Sequence, residues 1–167
     1  MSEPSTYNDL TFLQLVPVFI GRCAQEWVEV EHQLSGLLAR ISGMSPEVAD
    51  VIVATVSSNK IHRDIITQVA KVKYLDPQLQ HKIDGLLRRC AKAAKKRNTL
   101  VHAFYLSRSE TEVVALRHVT QLDFPGEEIV LNLKWLNEAL EQIHILAVDI
   151  YEFTESLGGS HSLAPRP

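Results

Sequence analysis

A chain of 167 residues, 46% hydrophobic and 22% charged, carries enough apolar surface for one self-sufficient globular domain and too little length for a comfortable second one. Its formal net charge of -3 excludes wholesale coating of a polyanion, so any nucleic-acid contact has to come from a local basic patch. No apolar run approaches the roughly 18 residues that span a bilayer, and Met1-Ser2-Glu3-Pro4 lacks the stretches of a signal peptide, which predicts a cytoplasmic protein without a membrane partner.

Taken in chain order, residues 1–9 read as a flexible N-terminus. From Leu10 to Ile41 the apolar positions Ile20, Ala24, Trp27, Leu34, Leu38 and Ile41 recur every three or four residues and predict one long helix with a broad buried face. Pro17 either marks its first turn or kinks a longer helix. After Gly43, the run Ser45-Pro46-Glu47 supplies the cap residue, first-turn proline and early acid of a second helix start. Val51 to Val56 is β-branched and reads as helix or strand, but the spacing resumes at Ile61, Ile65, Val69 and Val72, which favours helix. The polar insert Ser57-Ser58-Asn59-Lys60 is either a solvated kink or a cluster lining a cleft, with the kink preferred.

Asp76-Pro77 repeats the start signature, and Ile83, Leu87, Cys90, Ala94 and Val101 carry a third helix down to His102. The period then changes to two: Phe104 to Leu106 and Val113 to Leu116 read as a short hairpin, followed by a turn at Phe124-Pro125-Gly126. Asn132 caps a last helix through Leu157, and residues 158–167 read as a flexible tail. The predicted fold is all-α: an antiparallel four-helix-type bundle over 10–157 with a short β-hairpin-like excursion between the third and last long helices. Cys23 and Cys90 fall on apolar stripes without CxxC or His/Cys metal spacing, so both are expected as buried free thiols, and neither a metal nor a cofactor is expected.

Three features carry chemistry. Arg97-Asn98-Thr99-Leu100-Val101-His102 gathers a permanent cation, an amide and an imidazole at one helix end, groups suited to a phosphodiester. Asn98 and His102 share a helix face, whereas Arg97 and His102 lie about 140° apart, so two copies facing one another converge more easily than one. The basic run Arg88, Arg89, Lys92, Lys95 and Lys96 spreads over the face opposite Leu87, Cys90 and Ala94; most of it is a solvated face, and its functional reading is an electrostatic guide for a polyanion. Glu31 stands where the first helix calls for an apolar side chain: either it pairs inside the bundle with Arg97 or Asn98, or it sits at the stripe's edge and reaches water, as Glu26 and Glu29 do.

The hexapeptide resembles the R-x4-6-H signature of the HEPN superfamily, with a polar residue directly after the arginine, and the setting is similar over residues 10 to 157. The resemblance implies a homodimer whose two motifs line one cleft, and a metal-independent endoribonuclease of toxin or defence type. It implies that His102 moves a proton at the ribose 2′-hydroxyl, that Arg97 holds the phosphate and its developing charge, and that Asn98 orients them. RNA is the implied substrate. A cognate antitoxin or a nucleotidyltransferase is the protein partner the toxin members imply; some carry a tyrosine two residues after the histidine, where this chain departs with Phe104 followed by Tyr105. Many members of the fold are non-catalytic, so the alternative is a dimeric RNA- or nucleotide-binding or scaffold module in which Arg97, Asn98 and His102 form a structural network with Glu31.

The remaining histidines, His32, His62, His81, His118, His144 and His161, show no metal spacing and read as surface or packing residues. Trp27 and Trp135 read as core or interface anchors.

Overall fold

At the helix starts marked by Ser45, Asp76 and Asn132 a side chain accepts from amide groups that the first turn leaves free. The computed structural model describes residues 11–56, 58–73, 75–117 and 128–160. Among them α1 spans Phe12–Ser42, opened by a Thr11–Gln14 capping box and closed by Gly43 in the left-handed conformation, φ 78°. The Ser45 hydroxyl accepts from the Val48 amide ahead of α2 (Pro46–Thr55), and Asp76 accepts from the amides of Gln78 and Leu79 ahead of α4 (Pro77–His102). Between them lies α3 (Asn59–Val72). Asn132 Oδ1 takes the Trp135 amide at 2.9 Å, the cap of α5 (Leu133–Ser160). Pro17 lies inside α1 without ending it; the Leu13 carbonyl it leaves unpaired belongs to an exposed residue, where water can satisfy it.

Three strands follow α4 directly: β1 (Ala103–Ser107), β2 (Val113–Arg117) and β3 (Glu128–Leu131), paired antiparallel in the order β1-β2-β3. The register sets Tyr105 opposite Ala115 and Val113 opposite Leu131. Val113, Ala115 and Leu131 are fully buried, so one face of the sheet closes over the helices. The core is a single cluster in which Leu34, Leu37, Leu38 and Ile41 of α1 meet Ile143, Leu146 and Ile150 of α5, with Ile66, Ile83 and Leu100 packed around them. Helix α1 packs most extensively on α5, which makes these two the spine of the molecule.

The molecule is therefore mostly helical with a small antiparallel sheet. Three details differ from the sequence reading. The second helical segment is two helices, broken between Thr55 and Asn59, so the motif ends the fourth helix. The excursion holds a third strand, β3, beside the expected hairpin. Helix α5 continues to Ser160, so the first residues assigned to the tail are helical. The expected N-terminal segment 1–9, the turn at 124–126, His118 and His161 lie outside the described residues. Both cysteines are buried and unpaired, as their stripes predict.

Candidate functional site

Helices α1 and α4 run antiparallel along one seam, and that register decides which charged groups meet. At about 100° per residue Arg97 falls within about 20° of Cys90 and about 40° of Ala93, on the side of α4 that faces the core. Its side chain is half-buried and lies close enough to Cys23 of α1 for its charge to pull on that thiol. Burial is the larger effect and, with a smaller push from Glu26, leaves the Cys23 thiol at about 11. Arg97 Nη1 donates to Asn98 Oδ1 at 3.1 Å, while its buried Nε has no partner. No carboxylate pairs with Arg97 among the described residues.

Further along the seam stands Glu31, half-buried, with its Oε1 accepting from Trp27 Nε1 at 2.9 Å. Its charge acts on Cys90, as does that of Arg63 from α3, and Asn59 bonds the Cys90 sulfur at 3.6 Å while accepting from Arg63 Nη1. Burial pushes the Cys90 thiol up, against Asn59 and Arg63 and with Glu31. Cys23 is thus the neighbour of Arg97, and Cys90 the neighbour of Glu31. Glu31 lies eight positions along the helix from Cys23, a rise of about 12 Å, and the Glu31 carboxylate bonds Trp27 and does not pair with Arg97 or Asn98 as one sequence expectation had it. Half-buried beside Trp27, it stands at the edge of the apolar stripe.

His102 ends α4 on an exposed position and makes no hydrogen bond or ion pair among the described residues. It lies about 140° around the helix from Arg97, and the two do not bond within one chain. Tyr105 points the other way: its hydroxyl donates to the Leu100 carbonyl, and burial followed by the influence of Cys23 pushes its phenol up to about 12. That hydroxyl closes the last turn of α4 onto β1.

The basic run divides. Arg89 Nη2 pairs with Asp149 Oδ2 of α5 at 2.5 Å, and the Lys96 ammonium sits 5.7 Å from the centre of the Trp135 ring. Both serve the α4–α5 contact. Arg88, Lys92 and Lys95 are exposed, and no ion pair engages them among the described residues. Trp27 is buried in the core, as expected, and His62 is buried at the α2–α3 break with Nε2 on the Val56 carbonyl. His144 Nδ1 meets Glu26 Oε2 at 3.0 Å across α1 and α5, and His32 lies 4.0 Å from Asp50, so two surface histidines do pair with acids.

Sequence reasoning missed Arg63, Asn59 and the thiols as members of this polar seam. The polar insert was the one signal: α2 ends at Thr55 ahead of it, and Asn59 opens α3 with its side chain on the Cys90 sulfur. An open groove of about 390 Å³ lies elsewhere, between α1 and α5, lined by Glu29, Gln33, His144, Ala147, Val148 and Tyr151, and shares no residue with the motif. No group of three or more His, Cys, Asp or Glu side chains is placed to hold a metal among the described residues, and no helix there is long and apolar enough to cross a membrane. Comparison with family models, curated proteins and solved structures returns no match.

Proposed function

We propose that this chain is an endoribonuclease of the HEPN type, working as a homodimer in which His102 of one subunit and Arg97 of its twin share a phosphodiester. The observation that carries the reading is Arg97 itself: a half-buried guanidinium with one nitrogen fixed on Asn98, no carboxylate neutralising it among the described residues, at the helix end that also presents His102 to solvent. A cation kept in place and left without a counterion is poised for an external anion.

The chemistry follows from the groups. The imidazole takes the proton of a ribose 2′-hydroxyl as that oxygen attacks phosphorus, the bond from phosphorus to the 5′-oxygen breaks, and an imidazolium returns a proton to the departing oxygen. Arg97 holds the equatorial oxygens as charge builds on them. Internal attack needs no metal, and the products are a 2′,3′-cyclic phosphate and a free 5′-hydroxyl. The divergence of Arg97 and His102 around one helix is the reason the reading calls for two copies.

A scaffold role built on an Arg97–Asn98–His102–Glu31 network has less support, since Glu31 bonds Trp27 and His102 stands free of the other three. The test is cleavage of single-stranded RNA by the purified protein in EDTA, with the ends identified chemically. His102→Ala should abolish cutting and leave the thermal melt in place; cutting at the wild-type rate by that variant would overturn the proposal. A variant that only melts earlier, in a protein that never cuts, points to the scaffold.

A further inference from the structure

Helix α4 carries a second pattern beside its core stripe. Arg88, Ala91, Lys95, Asn98 and His102 follow one another in steps of three and four residues, so they fall on one surface line. Arg88, Lys95 and His102 are spaced by seven and are all exposed; Ala91 and Asn98 between them are half-buried. Lys92 is exposed just beside the line. The other cations of the helix are not on it, since Arg89 pairs with Asp149, Lys96 covers Trp135, half-buried Arg97 turns toward Cys23 of α1, and exposed Lys82 lies about 120° around the helix from Arg88.

We propose that this line is a track for a single extended RNA strand, laid along α4 from Arg88 and ending at His102. The inference rests on the cleavage reading for its end point, and on the division of the basic run for its course. From Arg88 to His102 the helix rises about 21 Å, the span of roughly four nucleotides, which is the low end of single-strand site sizes. One row of cations neutralises one row of phosphates; a duplex offers two rows across a groove, and of the cations that neighbour this line Arg89 and Lys96 are committed to α5. A single strand also leaves its backbone free to bring the 2′-oxygen into line with the departing 5′-oxygen, an arrangement that stacked A-form geometry resists. The small side chain of Ala91 lets the strand lie close to the helix between Arg88 and Lys95, and Asn98 supplies both a donor and an acceptor one turn before His102.

Binding is tested apart from cutting by using a fluorescent eight-nucleotide 2′-O-methyl strand, which has no attacking hydroxyl, titrated with the full chain in EDTA over a series of salt concentrations. Each phosphate contact on a single strand contributes about -0.7 to the slope of log K against log salt. Arg88→Gln with Lys95→Gln should therefore weaken binding and flatten that slope by about 1.4, and Lys95→Gln alone by about 0.7. The exposed pair Lys71→Gln with Lys73→Gln, at the end of α3, changes the net charge equally and should leave the slope within about 0.3 of wild type. The same sequence as a duplex should compete poorly. The track is overturned if the wild-type protein fails to bind the strand, if the α3 pair costs as much as the α4 pair, or if the α4 pair binds unchanged. Cutting of unmodified RNA by a protein whose α4 pair binds normally sinks the track alone; firm binding along α4 with no cutting by wild type sinks the nuclease reading alone.

Discussion

The carboxylate of Glu31 takes its hydrogen bond from the indole of Trp27, one turn back on the same helix, at 2.9 Å, and not from the guanidinium of Arg97. A buried indole N–H needs an acceptor, and Glu31 supplies it from the edge of the core. Glu31→Gln keeps an acceptor at the same reach and should cost less than about 0.5 kcal/mol, whereas Glu31→Leu strands the Trp27 donor and should cost about 1–2 kcal/mol. Urea melts of the two variants check this, and equal losses would show that the carboxylate charge, not the hydrogen bond, is what stabilises the surroundings of Trp27.

Helix α4 is tied to α5 by two contacts of modest worth. The Arg89–Asp149 pair is about half exposed, so Asp149→Ala should cost less than about 1 kcal/mol, and less still in high salt. Lys96→Met removes the cation above Trp135 but keeps the apolar stem, with an expected loss of about 0.5–1 kcal/mol. The partners are distinct, so the double variant should lose the sum of the two. Melts at low and high salt read both effects.

Much of this architecture is legible in the residues because it is local. Ser45-Pro46, Asp76-Pro77 and Asn132 each cap the helix they announce, and the stripe through Trp27, Leu34 and Ile41 is the buried face of α1. What stayed hidden is what distance in sequence controls. The strand β3 is four residues long with only Leu131 buried, and it exists because Val113 to Leu116 pair with it. The run Val51 to Val56 fits a helix that goes on, and only the packing of Asn59 against Cys90 and of His62 beneath Val56 shows why it stops. The stripe puts Glu31 on the core side of α1 or at its edge, but the α1–α4 register that sets Cys90 rather than Arg97 near it is a tertiary fact. For the motif the reverse holds: the five-position step from Arg97 to His102 already fixes their divergence.

The seam also predicts an alkaline weak point. Burial raises Cys23 from 9.0 to about 11 and Tyr105 from 10.0 to about 12, and Cys90 moves upward too. The folded chain thus keeps protons that the unfolded chain gives up, and unfolding stability falls with pH wherever the unfolded state binds fewer protons. The contribution is complete below pH 9.0, where thiols are protonated in both states, and is lost as pH rises through about 11 for Cys23. The urea midpoint should be level from about pH 7 to 8.5 and then decline, with the decline shallower in Cys23→Ala. A midpoint that holds steady through about pH 11 would contradict the burial of these groups.

Asn98 separates positioning from stability. Its Oδ1 holds Arg97 Nη1 at 3.1 Å, so Asn98→Ala frees the guanidinium to move by an ångström or more, and under the nuclease reading cleavage should fall about 100-fold. The melt should shift little, because Asn98 is half-buried and water can reach the site. Asn98→Asp keeps an acceptor beside Arg97 but adds a negative charge that competes with the phosphate, so it should melt at or above the wild-type temperature while cutting far more slowly. Initial rates on one RNA strand, set beside thermal melts of both variants, decide the matter. In a site that holds a phosphate the two measurements part company in the Asn98→Asp variant, since the same carboxylate that steadies the guanidinium also takes the place of the phosphate; a purely structural Arg97 would make rate and melting temperature rise and fall together.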